Sequence, residues 1–305
     1  MCWKGHRSPW TCPSPYSAGI VPRHWSESAP LLNKVPVASG TNLTNYLLMN
    51  VGDMENKGIE VALNVVPIEK KNLRWEVGFN IAYNKNEITR LTASDDPSYL
   101  GVETGDISGG VGNHIQIHQV GNPISSFFVF QQVYDENGKP LEGVYVDRNH
   151  DGQITDDDRY VYYKPDADVN IGLNTELNYK KWTLSASLRS SLGNYVYNNV
   201  ASNTEMKADM WTNNFICNRV STAPYSNFQQ AQYRSDYYVQ NASFLKLDKV
   251  TLAYNICDWC RVNFTAQNVF TITKYDGVDP EVGNGIDNNM YPRSRNFILG
   301  ASFNF

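Results

Sequence analysis

The stretch Val169–Ser190, VNIGLNTELNYKKWTLSASLRS, decides the fold class. Val169, Ile171, Leu173, Leu177 and Tyr179 share one parity, while Asn170, Gly172, Asn174, Glu176 and Asn178 share the other. After Lys180 and Lys181 the alternation restarts, with Trp182, Leu184, Ala186 and Leu188 set against Thr183, Ser185, Ser187 and Arg189. Successive side chains of a strand point to opposite faces, so a period of two gives one apolar and one polar face. Two such runs joined by two residues predict an antiparallel hairpin.

The same texture continues outward. Trp75, Val77, Phe79, Ile81 and Tyr83 alternate with Arg74, Glu76, Gly78, Asn80 and Ala82. Further apolar stripes are Ile59, Val61, Leu63 and Val65; Val250, Leu252, Tyr254 and Ile256; and Val262, Phe264, Ala266 and Phe270. The last comprises Phe297, Leu299, Ala301, Phe303 and Phe305. With one more strand near Phe127–Val133, about eight long strands are predicted.

Strand length separates two architectures. Soluble strands average about 5–6 residues, whereas membrane-spanning ones need about 9–11. Several of these stripes reach the longer figure. The polar face is mostly Asn, Ser, Gly and Thr, small neutral groups suited to a wet, crowded lumen. Tyr83, Tyr179 and Trp182 sit at strand ends, where an interfacial girdle lies. The fold class read from this is all-β, an antiparallel transmembrane β-barrel. The alternative is a soluble β-sandwich. An aromatic Phe305 at the end of the last strand is typical of outer-membrane barrels, although Ile298 stands where that signal usually has a polar residue.

Composition agrees with a folded β-protein. The 305 residues carry a net charge of −5, 41% hydrophobic and 19% charged residues, which excludes a disordered chain and argues against a basic nucleic-acid binder. No run of about 18 apolar residues occurs, so no transmembrane helix is expected. A barrel escapes that test because alternation averages its hydropathy away. The five cysteines, Cys2, Cys12, Cys217, Cys257 and Cys260, are too few and odd in number for a disulfide scaffold. Cys257 and Cys260 form a CxxC in a turn, with no second pair for zinc; they read as two turn thiols or a local disulfide. His114 and His118 point the same way along a strand but about 13 Å apart, too far for one metal. No catalytic motif is present, and no enzyme is expected.

Two regions stand outside the stripes. Residues 1–34 are rich in proline, with Pro9, Pro13, Pro15, Pro22 and Pro30, and show no period of 2 or 3.6. They read as a leader foreign to the fold, either disordered or mis-read, that offers neither helix nor ladder strand. The stretches Leu91–Asn113, Asp135–Asp168 and Tyr195–Tyr237 are long and polar, and loops of that length are usually functional or disordered. In the second lies Asp147-Arg-Asn149-His-Asp151-Gly152-Gln153-Ile154-Thr155-Asp-Asp-Asp158. Asp147, Asn149 and Asp151 at positions 1, 3 and 5, the carbonyl of Gln153 and Asp158 at position 12 make a candidate Ca²⁺ site of hard oxygens, with a structural role. The alternative is a calcium-free loop of Asx turns.

The chain from about Val35 to Phe305 resembles the C-terminal portion of SusC/RagA-family TonB-linked outer-membrane receptors. NVGDMENKGIEVALN (Asn50–Asn64) is similar to the family's N-G-x-M-x-N-K-G-I-E segment, and GNPISSFFVF (Gly121–Phe130) to its G-x-P-I-G-S-F-x-G-Y segment. The Asp147–Asp158 loop resembles a recurrent D-x-N-x-D-G-x-I-x-x-x-D loop. Ser243–Leu247 with Val250–Tyr254 resembles S-F-L-R-L-x-x-L-T-L-G-Y. Ala266–Phe270, Thr273–Tyr275 and Asp279–Val282 resemble G-Q-N-L-F-T-x-T-K-Y-x-G-x-D-P-E.

The resemblance implies residues 35–305 as part of a barrel of about 22 strands with an internal plug, contributing about eight C-terminal strands and long extracellular loops. It implies import of oligosaccharides, or of peptides, across the Gram-negative outer membrane. A SusD-like surface lipoprotein would serve as lid and the TonB complex as energy source, with outer-membrane lipid around the barrel. Against such receptors the chain lacks a signal peptide, a TonB-contacting segment, a plug and more than half the strands. In isolation it is expected to aggregate, because open edges in lipid leave N–H and C=O groups unpaired. The alternative function is a soluble Ca²⁺-stapled β-sandwich acting as a surface glycan-binding or adhesion module.

Overall fold

The computed structural model describes residues 19–36, 46–92, 99–107, 109, 112–207 and 219–304. The strands are β1 (Gly19–Pro36), β2 (Tyr46–Lys70), β3 (Leu73–Arg90), β4 (Val102–Asp106), β5 (His114–His118), β6 (Ser126–Val129), β7 (Gln132–Tyr134), β8 (Pro140–Tyr145) and β9 (Tyr160–Val161). There follow β10 (Val169–Tyr179), β11 (Trp182–Leu192), β12 (Tyr195–Tyr197), β13 (Val239–Asn241), β14 (Phe244–Cys257), β15 (Cys260–Thr273) and β16 (Asn296–Phe303). The short helices α1 (Asn199–Thr204) and α2 (Ala223–Ser226) lie between β12 and β13.

Eight strands form one antiparallel sheet in the order β1-β2-β3-β10-β11-β14-β15-β16. At one end, two-residue turns join its hairpins: Lys71-Asn72, Lys180-Lys181 and Asp258-Trp259. At the other end the chain makes three long excursions, between β3 and β10, β11 and β14, and β15 and β16. Short turns on one side and long loops on the other are the layout of an outer-membrane barrel wall.

The count of eight holds, but its membership differs from the sequence expectation. Phe127–Val133 does not join the wall; its residues fall in the short β6 and β7 of the excursions. Its place is taken by β1, which pairs with β2 from Gly19↔Asn64 to Pro36↔Tyr46. The expectation that the proline-rich stretch offers no ladder strand is therefore corrected for residues 19–36. β1 is the outermost strand of the sheet, and proline is tolerated on an edge strand where the missing N–H has no partner to serve. Residues 1–18, and the terminal Phe305, lie outside the described residues.

The ladder places whole rows of side chains in register. Ile68, Trp75, Leu177, Leu184, Leu252, Phe264 and Leu299 form one row across seven strands. Trp75, Leu184, Leu252, Phe264 and Leu299 are exposed, up to 82% at Leu299, and Ile68 and Leu177 are half-buried. One row further, Tyr179 pairs with Trp182 and Trp182 with Tyr254, the last two rings 4.6 Å apart. Toward the loops Tyr83 pairs with Val169. Val169 and Tyr179 are ten residues apart on β10, about 33 Å along the strand at about 3.3 Å per residue. A tilt of about 40° reduces this to about 25 Å, the height of the apolar band of a membrane barrel. A soluble sandwich would bury this face under a second sheet, whereas Leu184, Leu252, Phe264 and Leu299 are exposed. An apolar surface of this extent needs lipid or protein against it.

The buried core lies elsewhere, in the excursions. Ile107, Ile115, Phe127, Val129, Tyr197, Ala201, Phe228, Tyr238, Val239 and Ile286 pack into one cluster drawn from all three. The long loops are thus a folded cap. It docks on the top of β3, where the Ile88 N–H donates to the Asn122 carbonyl at 2.9 Å and the Gly121 N–H to the Ile88 carbonyl at 2.8 Å.

Candidate functional site

Opposite the apolar face runs a polar wall. Asn64, Asn174, Ser187, Lys249, Gln267 and Asn296 form a polar row across the same strands, with Gly78 at its β3 position. The side chains knit sideways: the Ser187 hydroxyl donates to Asn174 Oδ1 at 2.7 Å, and Asn178 Nδ2 to Glu176 Oε1 at 2.8 Å. Glycine at two positions makes room for neighbouring amides. A Cβ on Gly78 would meet Asn64 Oδ1 at 2.9 Å, and one on Gly172 would meet Asn80 Oδ1 at 2.2 Å. The wall frames a cavity of about 730 Å³ whose lining includes Asn64, Arg74, Glu76, Asn174, Glu176 and Lys249. Amides, hydroxyls and a few charges of both signs suit a hydroxyl- or amide-rich ligand held by many weak hydrogen bonds.

An ion network closes the upper end of the wall. Arg189 on β11 meets Asp248 on β14 at 2.6 Å and grips Glu281 of the β15–β16 excursion through both guanidinium arms. Lys246 reaches Glu281 at 3.0 Å. Arg293 reaches Glu281 and Asp279, each at 2.8 Å. Burial alone would raise the Glu281 pKa, but hydrogen bonds from Arg189 and Lys246 outweigh it and hold the carboxyl below the ordinary glutamate value. Arg189 and Lys246 pin the excursion across β11 and β14, and Arg293, in the same excursion, braces the carboxylate. A second cavity, of about 690 Å³, lies beside this network, lined by Asn84, Asn170, Ser191, Glu281 and Arg293 among others. Sequence reading missed the network. Arg189 read only as a polar-face residue, and Asp279–Val282 only as part of a resemblance. Its partners lie 59 and 92 residues from Arg189, beyond any local spacing rule.

The Asp147–Asp158 loop lies in the cap. Asp147 accepts the His150 and Gly152 N–H groups at 2.7 and 2.8 Å, one on each oxygen. Asn149 Oδ1 accepts from the Asp151 N–H at 2.9 Å, and Asp151 Oδ1 from the Gln153 N–H at 2.8 Å. These are Asx turns, and Gly152 sits at a positive φ of 84° as the sharp turn requires. Asp158 is fully buried and faces the backbone: Oδ2 accepts from the Thr155 N–H at 2.8 Å and Oδ1 from the Arg148 N–H at 2.8 Å and the Asn149 N–H at 3.3 Å. The N–H donors of Thr155, Arg148 and Asn149 hold its carboxyl below the ordinary aspartate value. Among the described residues no group of three or more His, Cys, Asp or Glu stands close enough to hold a metal ion. His114 contacts Asp106 at 2.9 Å and His118 contacts Ser125 at 3.3 Å, so the two histidines serve separate local contacts.

A search for sequence-family models finds no match. Among curated proteins, the TonB-dependent receptor SusC of Bacteroides thetaiotaomicron is 43% identical over 94% of this chain, which spans 30% of that receptor in its C-terminal part. The chain belongs to the SusC/RagA family of TonB-dependent receptors. Two receptors of Formosa agariphila, P26 and P3, are 27% and 25% identical over 92% and 85% of the chain, covering 32% and 29% of their own lengths. The chain thus spans about a third of the length of the curated relatives it matches. Among solved structures, the RagAB peptide transporter matches with a TM-score of 0.71 at 23% identity over 94% of this chain and 33% of that one. RagAB in its open-open state gives the same TM-score over 95% of the chain. These place the eight strands as part of a larger TonB-dependent receptor barrel. The family is one of receptors and transporters, not enzymes.

Proposed function

We propose that this chain supplies part of the barrel wall and outer cap of an outer-membrane receptor that imports oligosaccharides. One observation carries the reading: the same seven strands present an unbroken apolar row to one side and a row of polar side chains, with one glycine, to the other. Such a wall separates lipid from a wet lumen. The amide- and hydroxyl-rich lining supports a hydroxyl-rich cargo, and 43% identity to SusC lends it further support. A SusD-like lipoprotein would cover the cap, and the TonB complex would act through the remaining length of a receptor of this kind. Peptide import is the competing cargo class.

The test is a cell carrying the receptor that contains this chain, compared with its deletion. Recovery in the outer-membrane fraction, with growth lost on oligosaccharides but not on peptides, is the expected outcome. Recovery in the soluble fraction overturns the receptor reading, and growth lost on peptides alone overturns the cargo.

We further propose that the Asp147–Asp158 loop takes up Ca²⁺ as a structural staple. Asp147, Asn149 and Asp151, the Gln153 carbonyl and Asp158 are a hard-oxygen set of the kind Ca²⁺ favours. Uptake requires Asp158 to turn from its three N–H donors toward the ion. Isothermal titration of the folded receptor decides it, and no uptake below millimolar Ca²⁺ removes the proposal.

A further inference from the structure

We propose that Cys257 and Cys260 form a reversible dithiol–disulfide pair at the turn end of the β14–β15 hairpin. The geometry stands alone; the oxidant rests on the reading above, which puts this turn on the periplasmic side.

Cys257 closes β14, Cys260 opens β15, and the two are direct cross-strand partners around the two-residue turn Asp258-Trp259. The register shift between Asn255 and Cys257 leaves Ile256 out of the ladder. Cys257 therefore continues the face of Tyr254, as Cys260 does that of Val262. Directly opposed residues have Cβ atoms about 4.5–5.5 Å apart, and a disulfide needs about 3.5–4.5 Å. A shift of about 1 Å at a hairpin tip, with no change of register, closes the bond. Both are thiols in this structure, Cys260 buried and Cys257 half-buried. A zinc role is a poor fit, since no third His, Cys, Asp or Glu joins them among the described residues.

The half-buried Cys257 is the attacking group. Its thiolate attacks the disulfide of an exported thiol oxidase, forming a mixed disulfide and releasing one oxidase thiol. The Cys260 thiolate then attacks the Cys257 sulfur and expels the second. Two protons and two electrons pass from the pair to the oxidase, which leaves as a dithiol. A ring of only four residues gains little from loop closure and tolerates strain badly, so the bond is exchangeable rather than an inert staple.

The pair bears on the neighbouring strand. Cys260 is the ladder partner of Phe303, the Asn304 N–H donates to the Trp259 carbonyl at 3.0 Å, and the rings of Trp259 and Phe303 stack 6.2 Å apart. Oxidation locks the turn on which the end of β16 is seated.

One tryptic peptide, Val250–Arg261, contains both cysteines. Outer membranes from cells making the full receptor are acid-quenched, alkylated and digested. The expected peptide is unalkylated and lighter by two hydrogens, takes two alkyl groups after dithiothreitol, and loses the cystine in C257S. Double alkylation without reductant, or a disulfide to any other cysteine, overturns the proposal. Absence of the protein from outer membranes overturns the receptor reading instead. In that case oxidised glutathione on the purified receptor decides the pair: loss of two hydrogens supports it, and double alkylation or a stable glutathione adduct overturns it.

Discussion

Arg189 and Glu281, 92 residues apart, face each other across the top of the wall, with Nη2 and Oε2 2.7 Å apart. Glu281 also serves Lys246 and Arg293, so its removal leaves three cations without their shared anion. Glu281→Gln should cost about 1–3 kcal/mol, below the about 3–5 kcal/mol of a fully buried pair. Limited proteolysis should cut the β15–β16 excursion faster in the variant, with the barrel intact.

The same carboxylate gives a pH dependence. Its folded-state pKa lies below the ordinary glutamate value of 4.5. A depressed value means that the contribution is fully present above 4.5 and is lost as pH falls through the lowered pKa. Proteolysis by an acid-active protease should therefore open the excursion below about pH 4.5 in the parent, while Glu281→Gln should show no such step.

Leu173 and Asn174 are neighbours on β10 that face opposite sides of the wall, near the middle of the apolar band. Leu173→Arg puts a charge into lipid at about 2–4 kcal/mol and should abolish assembly. Asn174→Arg faces the lumen and should assemble normally. Heat-modifiable migration of the full receptor on gels distinguishes the two. Equal behaviour would contradict the assignment of faces.

Gly172 lies under the Asn80 amide, with no room for a Cβ. Gly172→Val should displace Asn80 into the cavity side of the wall. On the oligosaccharide-import reading proposed above, the expected result is normal outer-membrane abundance with uptake of labelled sugar reduced several-fold.

Asp158 carries three backbone N–H bonds in a fully buried position. Asp158→Ala strands those donors at about 1–3 kcal/mol each. Hydrogen exchange should quicken at Arg148, Asn149 and Thr155. Saturating Ca²⁺ should slow loop exchange in the parent but not in the variant, if the ion closes on this carboxylate.

Most of the wall was legible because lipid and water impose a period of two on its strands, as in Val169–Leu188. The cap was not. Phe127, Val129, Tyr197 and Ile286 meet through excursions far apart in sequence, and Phe127–Val133 resembles a wall strand because it is apolar and extended, although its Phe127 and Val129 are buried in the cap core. The proline-rich β1 was invisible for the opposite reason: an edge strand tolerates residues that the propensity rules forbid inside a sheet. For the loop at Asp147 the sequence named the oxygens, but not that the Asp158 oxygens already serve Thr155, Arg148 and Asn149.

The separation of the buried cluster from the membrane-facing strands gives the two halves different solvents to answer to. Aliphatic and aromatic side chains in the cap leave water for one another, so its cohesion follows the heat-capacity signature of aqueous burial. The strands below trade water for acyl chains and respond to bilayer thickness and composition. A change of lipid composition should therefore act first on the strands, and reach the cap only through its tethers at Ile88 and Glu281.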